Sequence, residues 1–430
     1  MLLDLSVELL EAIGAQLTHT DHAVLRQVCK DLNGAVCRLF FSVLCLKTHQ
    51  NGLSKDAIEK LKVLGTDNMT SEERAHNDKL VDLFCLRLSV SVKNPKCRDL
   101  SGWGQTAILH FLNTLSNLHD LELDIPSTLD ISELKVQTLR RFTLKTPGWG
   151  RGPSWQPITP EVYEDFMDLI ISQTQLNSLH VEGFTELSAV WRMLRRKPYK
   201  TAKLTEITTN VVTQEFFDYL TSYSGLKKLT LKFPDGGNVE ESNRLADSFF
   251  ETVLPCHSES LAELSCPAAY ESRFSFGTHN VDVVSSLHKL TKLEMSINAG
   301  AVRKVNPPKG RNRKYSSIGF GISVKAEQAD IDPVVTLLLE TAVALPALRS
   351  LTIVSAETER NRAVWCGNGR IHHQAAVDMA IGTAVMAFRT DMPCAAIVYA
   401  DGNTHELRPR RGSLRKGRLG YEQTGSWSWD

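Results

Sequence analysis

Apolar positions along this chain follow two rhythms. One is short: an apolar residue, usually Leu, then two residues, an apolar residue, one residue and an apolar residue. It occurs at Phe41/Leu44/Leu46, Leu83/Leu86/Leu88, Leu118/Leu121/Leu123, Leu139/Phe142/Leu144, Leu176/Leu179/Val181, Leu226/Leu229/Leu231, Leu261/Leu264/Cys266, Leu290/Leu293/Met295 and Leu348/Leu351/Ile353. Leu204/Ile207 opens a degraded copy, and Cys394/Ile397/Tyr399 closes the series. The last two apolar positions of each copy alternate with polar ones, which is the period of a short strand buried on one face. Between copies, residues 107–115, 160–172, 186–196, 213–222, 241–254, 281–290, 331–344 and 373–388 carry helical spacing. Short strands alternating with helices predict parallel strands joined by right-handed crossovers and stacked in one direction.

The expected fold class is α/β, with short parallel strands alternating with helices over residues 47–403. This body resembles an irregular leucine-rich-repeat solenoid, its copies unevenly spaced and several of them carrying insertions. It departs from the repeat consensus in one respect. The Asn or Cys expected three residues after the last strand position stands only at Asn298; Pro126, Phe184, Pro234 and Ala356 occupy that place elsewhere. A doubly wound α/β domain, the competing fold, predicts long apolar strands and a Gly-rich phosphate turn. The chain has neither.

Residues 1–46 form a separate module of three short helices running into the first strand. On the first helix, Leu5, Val7, Leu9, Leu10, Ala12, Ile13 and Leu17 spread over roughly 220°, whereas one buried face needs little more than ~100°. A module this small has a thin core of its own, so the excess apolar surface predicts an external partner. The series Leu5-Ser6-Val7-Glu8-Leu9-Leu10, Ile13, Leu17, Thr20-Asp21, Leu25, Val28-Cys29-Lys30 and Leu39-Phe40-Phe41 resembles the F-box. The family usually has Pro where Ser6 stands here; Ser is a good N-cap, so the helix can still start. The resemblance implies docking on the Skp adaptor of a cullin-type ubiquitin ligase, and the family's adaptor-facing positions match Leu5, Val7, Leu10, Ile13, Leu17, Leu25, Val28 and Cys29.

Charge narrows the partners. Lys plus Arg and Asp plus Glu stand at 49 each, so no net field draws nucleic acid, an anionic membrane or an anionic substrate. Acidic residues at positions 4, 8 and 11 interrupt the apolar start as no signal peptide does, and no later run approaches a membrane span. The nine cysteines lack a Cys-x-x-Cys pair and metal-ligand spacing to histidine, which fits reduced thiols in the cytoplasm or nucleus.

Catalytic signals are missing. His372 and His373 are adjacent and cannot share a helix face as joint metal ligands. Gly367-Asn368-Gly369 and Gly319-Phe320-Gly321 lack the Lys and Ser of a phosphate loop and read as turns. No metal or other cofactor is expected. The Pro- and Gly-rich basic stretch at 303–317 reads as a solvent loop, and residues 404–430 as a basic tail that is extended or disordered. Trp427 and Trp429, on alternate positions, could instead lie against the last repeats as a strap. Trp103, Trp149, Trp155 and Trp191 fall in loops or at helix ends, where binding anchors often occur. Trp149 and Trp155, in an insertion longer than the array needs, are the candidate substrate contacts.

The expected function is non-catalytic: a substrate receptor resembling fungal-type F-box and leucine-rich-repeat chains. The F-box would bind the Skp adaptor and, through it, the cullin and RING subunits, while the repeat body holds a protein substrate for ubiquitination. The alternative is an adaptor-bound scaffold that delivers no substrate.

Overall fold

The computed structural model describes residues 5–25, 27–48, 87–92, 105–115, 118–124, 132–145, 160–184, 187–196, 203–297, 328–359, 362, 368–392, 395–409 and 419–426. The chain divides into two units, Met1–Thr185 with Lys197–Leu204, and Glu186–Arg196 with Thr205–Asp430. It is a mixed α/β protein in which mostly parallel strands alternate with helices.

The first unit opens with three helices: α1 (Val7–Gly14), α2 (His19–Leu25) and α3 (Lys30–Phe41). The second helix is capped by Thr18. The Asp21 N–H donates to Thr18 Oγ1 at 3.3 Å, and the Thr18 N–H and hydroxyl donate to the Asp21 carboxylate at 3.0 and 2.6 Å. This reciprocal box satisfies donors that a helix start would otherwise leave open. His22 is buried, its Nε2 lying 2.7 Å from the Gly14 carbonyl oxygen, which ties α2 to the end of α1. A Cβ on Gly14 would stand 2.9 Å from Leu39 Cδ1 and 3.2 Å from Val36 Cγ1, so the missing side chain lets α1 and α3 pack closely. The core of the module is Leu10, Leu32 and Ala35, with Leu25 and Cys29 packed against it.

Five strands of the first unit pair parallel in chain order: β1 (Val43–Thr48), β2 (Arg87–Val92), β3 (Asp120–Asp124), β4 (Arg141–Lys145) and β5 (Ser178–Glu182). The strand positions foreseen from the short rhythm fall into register, Leu121 with Phe142 and Leu179, Leu123 with Leu144 and Val181. All of them are buried. Behind them the Pro160–Ser172 helix presents Phe166 to Phe142 and Phe184, ring centroids 6.1 and 5.4 Å apart. Gln173, wholly buried just past the end of that helix, satisfies backbone groups of the segment that leads into β4. Its Nε2 donates to the Val136 and Leu169 carbonyls at 2.7 and 3.1 Å, and its Oε1 accepts from the Leu139 N–H at 3.1 Å.

In the second unit β6 (Glu206–Thr209), β7 (Lys228–Leu231), β8 (Glu263–Cys266), β9 (Lys292–Ile297), β10 (Ser350–Ser355) and β12 (Ile397–Ala400) also pair parallel, with no reversal of order. One apolar row, Ile207–Leu229–Leu264–Leu293–Leu351–Val398, crosses all six strands. The same pair of backbone bonds recurs before β7, β8, β9 and β10. Lys227 and Lys228 donate to Thr205 O, Ala262 and Glu263 to Lys227 O, Thr291 and Lys292 to Ala262 O, and Arg349 and Ser350 to Thr291 O, at 2.7 to 3.2 Å. The first unit repeats the arrangement, Arg140 and Arg141 on His119 O, Asn177 and Ser178 on Arg140 O. Recurrence of one bond pattern at equivalent positions is what stacked repeats require, each copy satisfying the backbone of the one before.

Three expectations need correcting. In the last copy the buried residues are Ala395, Val398 and Ala400, one position off the expected Ile397/Tyr399 register, because the large side chains face outward and small ones fill the interior. Residues 404–430 are not simply a tail: β13 (Asn403–Pro409) and β14 (Leu419–Ser426) form an antiparallel pair that continues the sheet, joined by β11 (Arg389–Thr390). Strand β13, paired with β12 on one side and β14 on the other, carries mostly polar residues, which suits an antiparallel strand with one face toward water. Helix boundaries also shift, to Asn368–Ala387 for the last helix and to only Val281–Ser285 for the one expected at 281–290. Leu83, Leu86, Cys394 and the basic stretch 303–317 lie outside the described residues.

Candidate partner-binding surfaces

The residues expected to face an adaptor do not share one environment. Leu10 is only 6% exposed and belongs to the module's own core, so α1 spends it on folding. Leu25 and Cys29 also pack inward and are half-buried. Ile13, by contrast, is 44% exposed and Val28 63%, and Leu5 and Leu17 stand open to solvent as well. Val7 lies on the first turn of α1. Two exposed residues were missing from the expected set, Leu9 at 53% and Val24. Leu9 was legible: it stands four residues before Ile13, which places the two along one line of the helix.

The result is an apolar stripe Leu5–Leu9–Ile13–Leu17 along α1 and its flanking turns, with Val24 and Val28 exposed near the end of α2. Two acidic groups of the module, Glu8 and Asp21, are engaged locally. The Glu8 carboxyl is held below its usual range by its own backbone N–H and by the Ser6 side chain, and that of Asp21 by Thr18. A surface of this kind offers apolar area to a partner.

The outward face of the strands is polar. In the first unit Lys145 pairs with Glu122 at 2.8 Å and Arg141 approaches Asp120 at 3.8 Å, while His180 pairs with Glu182 along β5. In the second, Glu263 on β8 is held between Lys228 on β7 and Lys292 on β9, at 3.0 and 3.1 Å. Burial pushes the Glu263 carboxyl upward, but the two lysine bonds together outweigh it and leave its pKa lowered. One strand on, Glu294 accepts from Ser265 Oγ at 2.6 Å, and there burial prevails and raises the pKa. Such exposed pairs add little stability each; they orient polar groups over the sheet.

The loops that follow β7, β8 and β10 meet at Arg362. Its guanidinium binds Glu359 at 2.7 and 2.8 Å, pairs with Asp235, and lies 4.1 Å from the centre of the Tyr270 ring. Sequence reading had no signal for this node, since Asp235 and Arg362 are distant in the chain. Trp191 is no surface anchor. It is fully buried, 4.7 Å from Phe216 and 5.5 Å from Tyr219 by ring centroid. Trp103, Trp149 and Trp155 lie outside the described residues.

Among the described residues no three His, Cys, Asp or Glu side chains form a group able to hold a metal ion, and no helix is long and apolar enough to cross a membrane. No protein-family model and no curated protein matches the chain. A solved structure that matches is a crystal structure of a Bacteroides fragilis protein from a structural-genomics programme, with 15% identity over 58% of this chain and 67% of that one and a TM-score of 0.28. A superposition that loose bears on neither fold family nor function.

Proposed function

We propose that this chain is a non-catalytic receptor. Its three-helix module acts as an F-box that binds a Skp-type adaptor, and its strand–helix body is a leucine-rich-repeat array that holds a protein substrate for a cullin- and RING-based ubiquitin ligase. The observation that carries the reading is the exposed stripe Leu5–Leu9–Ile13–Leu17, with Val24 and Val28, on a module whose core is built from other residues, Leu10, Leu32 and Ala35 with Leu25 and Cys29. Apolar residues grouped along one helix and its flanking turns and left in water mark an interaction surface more than scattered exposure does. The register of residues 5–41 resembles the F-box, and that resemblance selects the partner. The chain-order parallel strands with recurring backbone bonds support a repeat array in the body.

On this reading the body raises the effective concentration of a substrate lysine near a ubiquitin thioester, and no side chain of the chain takes part in the transfer. The test is reconstitution. Purified chain and Skp adaptor should co-elute, and the chain should then bring ubiquitin onto a protein that co-purifies with it after proteasome inhibition. Failure to co-elute would overturn the reading. Co-elution without any modified client would leave the adaptor contact standing and remove the receptor role.

A further inference from the structure

Among the described residues two non-glycine residues have a positive φ, Phe233 at 52° and Asp401 at 50°. Asp401 is explained by its turn. With Gly402 it joins β12 to β13 between the paired residues Ala400 and Asn403, a two-residue hairpin that favours this conformation. Phe233 has no such turn, since β7 runs on into a loop and a helix. A bulky residue is an outlier at positive φ, and the proline at 234 restricts it further toward extended backbone. Burial does not explain it either, because the side chain is 52% exposed.

The strain is imposed from both sides. The Lys232 N–H donates to the Thr209 carbonyl at 2.8 Å, which holds the chain in the sheet up to the residue before Phe233. Two residues after it, the Asp235 carboxylate accepts from Ser242 Oγ at 2.8 Å and from the Gly237 N–H at 3.2 Å, and pairs with Arg362. Gly236 closes this turn on the Val239–Ser248 helix, where an added Cβ would stand 2.6 Å from the Ser242 nitrogen. The loops after β8 and β10 are zipped together beside it. The Glu271 N–H donates to the Glu357 carbonyl at 2.8 Å and the Glu357 N–H to that of Ala269 at 3.1 Å. A costly conformation persists where its surroundings over-determine it, and such places cluster at functional sites. Here the frame holds an aromatic ring out in water.

Charge around the frame selects what the ring can hold. Asp235, Glu271 and Glu359 are half-buried carboxylates, while Glu357 is wholly buried. Among the cations, Lys232 acts on Glu294 and Arg273 pairs with Asp247, which leaves the Arg362 guanidinium against three carboxylates. An aromatic face beside an excess of carboxylate attracts a cationic side chain, and the ring itself takes an apolar neighbour.

We propose, resting on the receptor reading above, that Phe233 anchors a segment of the protein substrate, and that this segment carries Arg or Lys beside an apolar residue. The test is selection of a phage-displayed random dodecapeptide library on the purified full chain, with its Phe233→Asn variant as the counter-target. Asn tolerates the same backbone and removes the ring. Recovered peptides should carry Arg or Lys next to an apolar residue. The same peptides, synthesised, should bind Phe233→Asn and Phe233→Gly at least tenfold more weakly, and should lose binding to the parent when their basic residue becomes Glu. Relief of the strained φ offsets the packing lost with the half-buried ring, so Phe233→Asn should melt within ~4 °C of the parent. A larger fall would mean that the ring serves the fold and would overturn the proposal. So would an empty selection, peptides without a basic residue, or peptides that bind parent and variants alike. Phe233→Asn should still co-elute with the Skp adaptor, so a failed anchor is told apart from a failed receptor reading, in which the parent chain itself does not co-elute.

Discussion

Leu9→Asp together with Ile13→Asp puts two carboxylates into the exposed stripe of α1 and leaves the core residue Leu10 untouched. At 53% and 44% exposure, the two side chains each offer a partner roughly 80 to 90 Å², and ~25 cal/mol per Å² makes their joint burial worth about 4 kcal/mol. Losing it corresponds to about a thousandfold in Kd, at 1.4 kcal/mol per decade. Desolvating the new carboxylates would add to the loss. Surface substitutions away from special features usually change stability by no more than ~0.5 kcal/mol, so the module should remain folded. Titration calorimetry with purified Skp adaptor, beside a circular dichroism melt of the same protein, separates the two effects. A Kd within tenfold of the parent's in a folded protein would refute the stripe as the docking surface. Leu10→Asp is the counterpart: at 6% exposure it should unfold the three helices, and its loss of binding would say nothing about contact.

Leu229→Asp places a charge in the apolar row that crosses β6 to β12, and insoluble expression is expected; a soluble protein with the parent's melting curve would contradict the register. Gln173→Leu keeps the volume but strands the Val136 carbonyl and the Leu139 N–H, at ~1 to 3 kcal/mol per buried group. The urea midpoint of the first unit should fall accordingly, and an unchanged midpoint would mean that other groups satisfy that turn. His257 is buried with its pKa lowered from 6.5, by burial first and against a bond to the Leu220 carbonyl. The unfolded chain therefore binds the proton more readily, so the stability His257 contributes is full above pH 6.5 and declines as pH falls toward the folded-state pKa. Denaturant midpoints measured from pH ~7 down to ~5 should decrease, and less so in His257→Gln; a midpoint that rises on acidification would reverse the sign.

The strands were legible because their signal is local. Two apolar residues on alternate positions after a leading Leu fix a strand, its buried face and its register against the next copy, and Leu229, Leu264, Leu293 and Leu351 stand in one row as that rule demands. The rule slipped at the last copy, where apolar size was a poor guide: Ile397 and Tyr399 turn outward, and Val398 and Ala400 fill the interior. What closes the polar groups between copies was not legible. Gln173 on the Val136 carbonyl, Ser260 on the Leu226 carbonyl and Thr138 on the Leu118 carbonyl satisfy backbone groups of another strand–helix copy, and these three bonds each span at least 20 residues. Arg362 belongs to the same class, since its three partners come from three different loops. At the N-terminus, helical spacing found the apolar excess but could not divide it, because a wheel shows faces and not which face the other helices take.

That division matters for how folding and partner binding are linked. Leu10, Leu32 and Ala35, with Leu25 and Cys29 beside them, make a thin core for three helices, while Leu9, Ile13, Val24 and Val28 remain in water. A module built this way gains stability from whatever covers the second set, by RT ln(1 + [L]/Kd), about 2.7 kcal/mol at a hundredfold excess over Kd. The adaptor, on the proposed reading, is then a folding ligand as well as a tether. Hydrogen exchange in α1 and α2 should slow on adaptor addition by a factor that tracks its concentration over Kd. The Leu9→Asp/Ile13→Asp protein should show the free module's exchange at every adaptor concentration. Protection that is equal in both proteins would place the contact elsewhere on the chain.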